Sequence, residues 1–96
     1  MKKEKIYILI SKDHKRYRRE VNARTFERNG IKYGIVGDST QGYSLTHLPT
    51  GMAITFSYKL KYLTRDIDKL ITKFEKLPEE FIKSGIRVFN EAEIEK

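Results

Sequence analysis

From Lys12 to Arg19 the chain reads KDHKRYRR, which places Lys12, Lys15, Arg16, Arg18 and Arg19 within eight residues. His14 and Tyr17 lie between these cations, and only Asp13 opposes them within the stretch. Positive charge at this density neutralises phosphates with salt-dependent affinity, and a tyrosine among the cations can stack on an unpaired base. Arg24 and Arg28 continue the run, so Lys12, Lys15, Arg16, Tyr17, Arg18, Arg19, Arg24 and Arg28 are the candidate nucleic-acid-binding residues. DNA or RNA would both fit, single strands included, and so would an acidic protein surface.

A secondary basic set, Arg65, Lys69 and Lys73, recurs every four residues and shares one face of a predicted helix. Asp66, Asp68 and Glu75 are interspersed with it, the usual pattern of a solvated helix exterior.

His14 and His47 raise acid–base chemistry. A metal-independent ribonuclease needs a general base and acid at the 2′-hydroxyl and cations on the scissile phosphate. Nothing in the sequence pairs either histidine with a carboxylate, and two histidines 33 residues apart make no ligand spacing for a metal. No catalytic residue, metal or cofactor is therefore assigned. His47 reads as a strand residue beside the turn Pro49-Thr50-Gly51.

Net charge and its distribution narrow the class. The chain has 96 residues and a formal charge of +7, and residues 1–28 hold ten cations against four acids. Residues 29–57 are balanced, and residues 58–96 hold nine cations against eight acids. Cysteine is absent, so no disulfide framework or thiolate zinc site is available. The apolar run Ile6–Ile10 is shorter than a signal-peptide core, and no segment approaches the length that spans a bilayer. The expectation is a cytoplasmic protein with no membrane association, its oligomeric state open, a homodimer included.

The elements that must position these residues follow from periodicity. Lys5–Ser11 and Val21–Glu27 read as strands flanking a basic loop or strand extension. Asn29-Gly30 is a strong hairpin signal, leading to a strand at Ile31–Val36. After a loop at Gly37–Gly42, Tyr43–Leu48 and Met52–Ser57 form a second hairpin, with Pro49 opening the turn and Gly51 left-handed. Tyr43, Leu45 and His47 alternate onto one face, as do Met52, Ile54 and Phe56.

The period then changes to 3.6. Leu60, Leu63, Ile67, Leu70, Ile71, Phe74 and Leu77 form one apolar stripe, predicting a long amphipathic helix ended by Pro78. A short second helix is expected from Pro78 to Ser84 with Gly85 as its stop, then a last strand at Ile86–Phe89. The fold class is α+β, with a largely antiparallel sheet of about five strands covered by the long helix. Residues 1–90 are expected to be one domain, and 91–96 an acidic, frayed tail.

The block THLPTGMAI, followed by a helix rich in Lys and Ile, resembles small phage and mobile-element proteins of low-GC Gram-positive bacteria. The similarity covers about Tyr43–Leu77 and implies an accessory role without transferring any catalytic residue.

The leading expectation is a small basic accessory protein that binds nucleic acid electrostatically with low sequence specificity. The alternative is a protein-binding inhibitor or adaptor, such as an anti-defence protein acting on a host nucleic-acid enzyme. The metal-independent ribonuclease is third.

Overall fold

The computed structural model describes residues 1–95. Its elements are β1 (Lys2–Lys12), β2 (Lys15–Arg28), β3 (Ile31–Asp38), β4 (Gly42–His47), β5 (Met52–Ser57), α1 (Leu60–Arg65), α2 (Ile67–Glu75), α3 (Glu79–Glu91) and β6 (Glu93–Ile94). The architecture is α+β. Strands β1 to β5 form an antiparallel meander in sequence order, and β6 adds to β2 in parallel.

The N-terminal strands are longer than expected. Asp13 and His14 both take positive φ, 53° and 63°, and turn the chain within two residues. Positive φ at both central positions is what a type I′ turn requires, and its twist matches that of the flanking strands. The basic stretch is therefore the start of β2 rather than a loop, and β1 and β2 stay in register from Lys2↔Thr25 to Lys12↔Lys15. The Asn29-Gly30 turn has the same geometry, with φ of 55° and 76°.

Directly opposed residues share a face, so register identifies the two sides of the sheet. On one side lie Tyr33 and Ile35 of β3 and Leu45 and His47 of β4. Helices α1 and α2 cover this side through Leu63, Ile67 and Ile71, which form one buried cluster with Tyr33, Ile35 and Leu45.

The stripe expected to make one long helix is interrupted at Asp66, whose φ of −102° and ψ of 10° end α1 and begin α2. The hydrogen-bond ladder nevertheless crosses the break: the Asp66 N–H donates to the Tyr62 carbonyl at 3.3 Å, and the Leu70 N–H to the Asp66 carbonyl at 3.0 Å. Thr64, which falls inside α1, donates its hydroxyl back to the Leu60 carbonyl at 3.1 Å.

The other side is concave. Gly34 lies between Ile6, Ala23 and Leu48. The sheet curls until the Leu9 N–H of β1 donates to the Gly51 carbonyl in the β4–β5 turn, at 2.9 Å. Helix α3 lies over that junction: Gly85 approaches Thr50 and Met52, and Phe89 lies against Gly51. Gly85 is thus a close-approach residue inside a helix of 13 residues, not its stop.

The strand expected at Ile86–Phe89 is helical, because Ile82, Ile86 and Phe89 continue a 3.6 period. Within the acidic tail 91–96, Glu93 and Ile94 form β6; Lys96, its last residue, lies outside the described residues. A register shift between Leu45 and Thr46 turns Phe56 away from the Met52 face, leaving it 51% exposed. No helix among the described residues is long and apolar enough to cross a membrane.

His47 belongs to this core. It is 3% exposed, and its ring lies 4.6 Å from that of Phe74 and 5.6 Å from that of Tyr33. Its Nδ1 is 2.9 Å from the Thr50 hydroxyl, which also accepts the Met52 N–H at 3.3 Å. Burial lowers the His47 pKa below the ordinary imidazole value, with the charge of Glu75 pulling the other way.

The unfolded chain takes up a proton on this ring near pH 6.5, whereas the folded chain resists until lower pH. The stability that neutral His47 contributes is therefore complete above about pH 6.5 and declines as pH falls below it. Urea midpoints should drop between about pH 7.5 and pH 5.5, and His47→Gln should remove most of that slope.

Candidate functional site

The β1–β2 hairpin carries the basic residues, and register divides them between its two faces. Lys3 opposes Arg24, and Lys5 opposes Asn22, on the side that continues into Ile35. Two residues beyond Ile35 on this side stands Gly37, opposite Tyr43. Beside it Lys3, Lys5, Asn22, Arg24, Ile35 and Tyr43 line a recess of about 410 Å³. Gly37 has φ 122°, and a Cβ there would run into the Gly42 carbonyl, so glycine is required on both counts.

The recess is electropositive. Among the described residues Lys3 and Arg24 have no carboxylate within salt-bridge distance, and Lys5 meets only the exposed Glu20 at 3.7 Å. Glu4 also borders it but is already neutralised: it pairs with Lys32 and accepts the Thr25 hydroxyl at 2.7 Å. The Lys32 bond first, then that of Thr25, holds the Glu4 carboxyl below the usual carboxylate range.

Like charges directly opposite one another weaken a sheet, yet Lys3 faces Arg24 with no acid between them. Side chains kept at a cost to stability are the ones that function explains most readily. Tyr43 lines the recess while packing against the core, so it adds a fixed aromatic wall.

The basic residues singled out in the sequence are dispersed. Of them only Arg24 lines the recess. Lys12, Lys15 and Arg19 point to the opposite face of the hairpin and are engaged by the C-terminal segment. Arg19 forks onto Glu95 at 2.7 and 3.0 Å, Lys15 meets Glu93 at 3.4 Å and Lys12 meets Glu95 at 4.0 Å. The Arg19 bond holds the Glu95 carboxyl low, and Glu95 in turn raises the Arg19 pKa.

The other candidates are scattered around these faces. Arg18 donates from Nε to the Ala92 carbonyl at 2.9 Å and lies over the Phe89 ring. Tyr17 is half-buried with Lys15 over its ring. Arg16 is exposed and, among the described residues, without an ionic partner. Arg28 is paired with Asp68 at 2.9 Å. Lys69 and Lys73 are exposed on α2 outside the recess, and Arg65 pairs with Asp66.

No family model, curated protein or solved structure matches the chain. The site therefore stands on its geometry.

The two histidines are not brought together. His14 sits exposed on the β1–β2 turn, while His47 is enclosed by Tyr33, Phe74 and Thr50. The nearby Tyr33 hydroxyl donates to Glu75 at 3.4 Å. Burial, then the Glu75 charge, pushes its pKa up to about 12, so it remains a protonated donor.

Lys3 and Lys5 were missed in the sequence because the short mixed-charge run Lys2-Lys3-Glu4-Lys5 ahead of the apolar part of β1 carries no motif. The signal that finds them is their register with Arg24 and Asn22. A further patch was legible only as scattered aromatics. Phe56 and Tyr58 meet edge to face at 5.0 Å with Tyr58 76% exposed, and Lys59, Lys61 and Arg65 surround the Tyr62 ring.

Proposed function

We propose that the protein binds nucleic acid through the Lys3, Lys5, Asn22, Arg24 and Tyr43 recess, electrostatically and with low sequence specificity. The observation that carries this reading is the convergence of three cations, one amide and one aromatic ring on a single hollow of the sheet. Cations on phosphates fix position rather than sequence, and Asn22 and Tyr43 supply a hydrogen-bonding group and a stacking surface that any base accepts. An accessory role of the kind implied by the resemblance to small mobile-element proteins accords with such binding.

About three phosphate contacts predict a salt slope near −2 to −3. Affinity for an oligonucleotide should then fall roughly 20- to 60-fold between about 50 and 200 mM salt. A gel-shift titration with single- and double-stranded DNA and RNA checks this. No retention of any of them at about 50 mM salt would refute the reading.

A second reading, an acidic protein partner, is favoured by the exposed Phe56, Tyr58 and Tyr62 with their surrounding cations, since aromatic and basic groups together make interface anchors. Association that survives nuclease treatment separates it from the first.

A further inference from the structure

We propose that the chain carries a second phosphate-binding strip, Lys12, Lys15 and Arg19, which its own residues 92–95 occupy as a displaceable acidic strap. This rests on the nucleic-acid reading above and concerns its regulation. Glu93 and Ile94 pair in parallel with Tyr17 and Arg18, and the Glu95 N–H donates to the Arg18 carbonyl at 2.8 Å. That backbone pairing sets the two carboxylates over the cations: Glu93 on Lys15, and Glu95 on Arg19 and Lys12. Two residues apart in an extended chain, Glu93 and Glu95 are offset by about 7 Å along the backbone, close to the spacing of neighbouring phosphates on an extended nucleic-acid strand. The strap presents to β2 what a polyanion would present.

Its attachment suits displacement. The strand is two residues long, and both are exposed. The Lys15–Glu93 pair is exposed on both sides, whereas the Glu95 side chain is only 19% exposed and its fork with Arg19 is the firmer attachment. The cations themselves stay about half exposed, and such pairs are screened by salt, so a polyanion that supplies more negative charge competes for them. Ala92 is the buried end of the segment and acts as the hinge side, tying the strap to α3. The recess lies on the opposite face of the same hairpin, so release of the strap gives the arm a basic strip on each side.

The test compares wild type with Glu93→Gln/Glu95→Gln, using anisotropy of a fluorescein-labelled single-stranded DNA of about 20 nucleotides and mixed sequence, over about 50 to 200 mM salt. Glu79→Gln/Glu80→Gln, exposed acids at the start of α3, raises net charge equally without touching the strap. The strap variant is expected to bind about tenfold more tightly near 0.1 M salt, with a slope steeper by about two to three, while the control changes about twofold or less. Hydrogen exchange at the Glu95 amide of wild type should be protected in the free protein and lose protection when DNA saturates it.

Equal affinity and slope for both variants, with wild type binding, would overturn the strap and leave the nucleic-acid reading standing. So would a Glu95 amide that stays protected in the saturated complex. Absence of binding by all three proteins would overturn both.

Discussion

Leu45→Ala is expected to cost about 3–5 kcal/mol of folding stability and to lower the thermal midpoint by roughly 15–30 °C. Leu45 is fully buried on β4, with Ile35 opposite it on β3 and Thr55 on β5. It belongs to the cluster that α1 and α2 close through Leu63, Ile67 and Ile71. Truncation removes apolar area and leaves a cavity that the sheet cannot collapse, because β4 is held by hydrogen bonds on both sides. A domain of this size holds only about 5–15 kcal/mol in total, so the variant would be near its unfolding limit at physiological temperature. Thermal unfolding followed by circular dichroism measures it. A loss below about 1 kcal/mol would mean that the helices do not close this face.

The parts of the fold that the sequence disclosed are those where one local signal decides. Asn29-Gly30 tolerates positive φ at both positions, and the structure turns there. The stripe from Leu60 to Phe74 has a helical period, and its buried members face the sheet. Local signals failed where tertiary contacts decide. Asp13-His14 carries no glycine, so its two-residue turn was hidden within charge. Gly85 looked like a stop, but it lies inside α3 where the helix comes close to Thr50 and Met52, and with the helix running on through it Ile86–Phe89 extends the period begun at Ile82.

For the candidate site the same division holds. Arg24 was recognised from its place in a basic run, whereas Lys3 and Lys5 gain meaning only from the residues opposite them. The densest cationic stretch, Lys12 to Arg19, proves the more occupied one, because its partners Glu93 and Glu95 lie more than 70 residues away in sequence. The block around His47 resolves the other way. Its histidine is a core residue bonded to Thr50, and Gly51 takes the left-handed turn position with φ 66°.

Reversing the recess, as Lys3→Glu/Lys5→Glu/Arg24→Glu, is expected to weaken nucleic-acid binding by at least about 100-fold near 0.1 M salt. Three lost phosphate contacts and three new repulsions act in the same direction. The fold should survive, since all three side chains are exposed, the opposed pair at positions 3 and 24 remains a like-charged pair after reversal, and the one ion pair lost, Lys5 with Glu20, is exposed and contributes at most about 1 kcal/mol. Urea midpoints of variant and wild type should therefore agree closely, which separates loss of binding from loss of structure. The deciding measurement is fluorescence anisotropy of one labelled oligonucleotide titrated with wild type and with this triple variant, side by side at matched salt. Saturable binding by wild type and none by the folded variant is the expected result; equal binding by both would contradict the assignment of the recess.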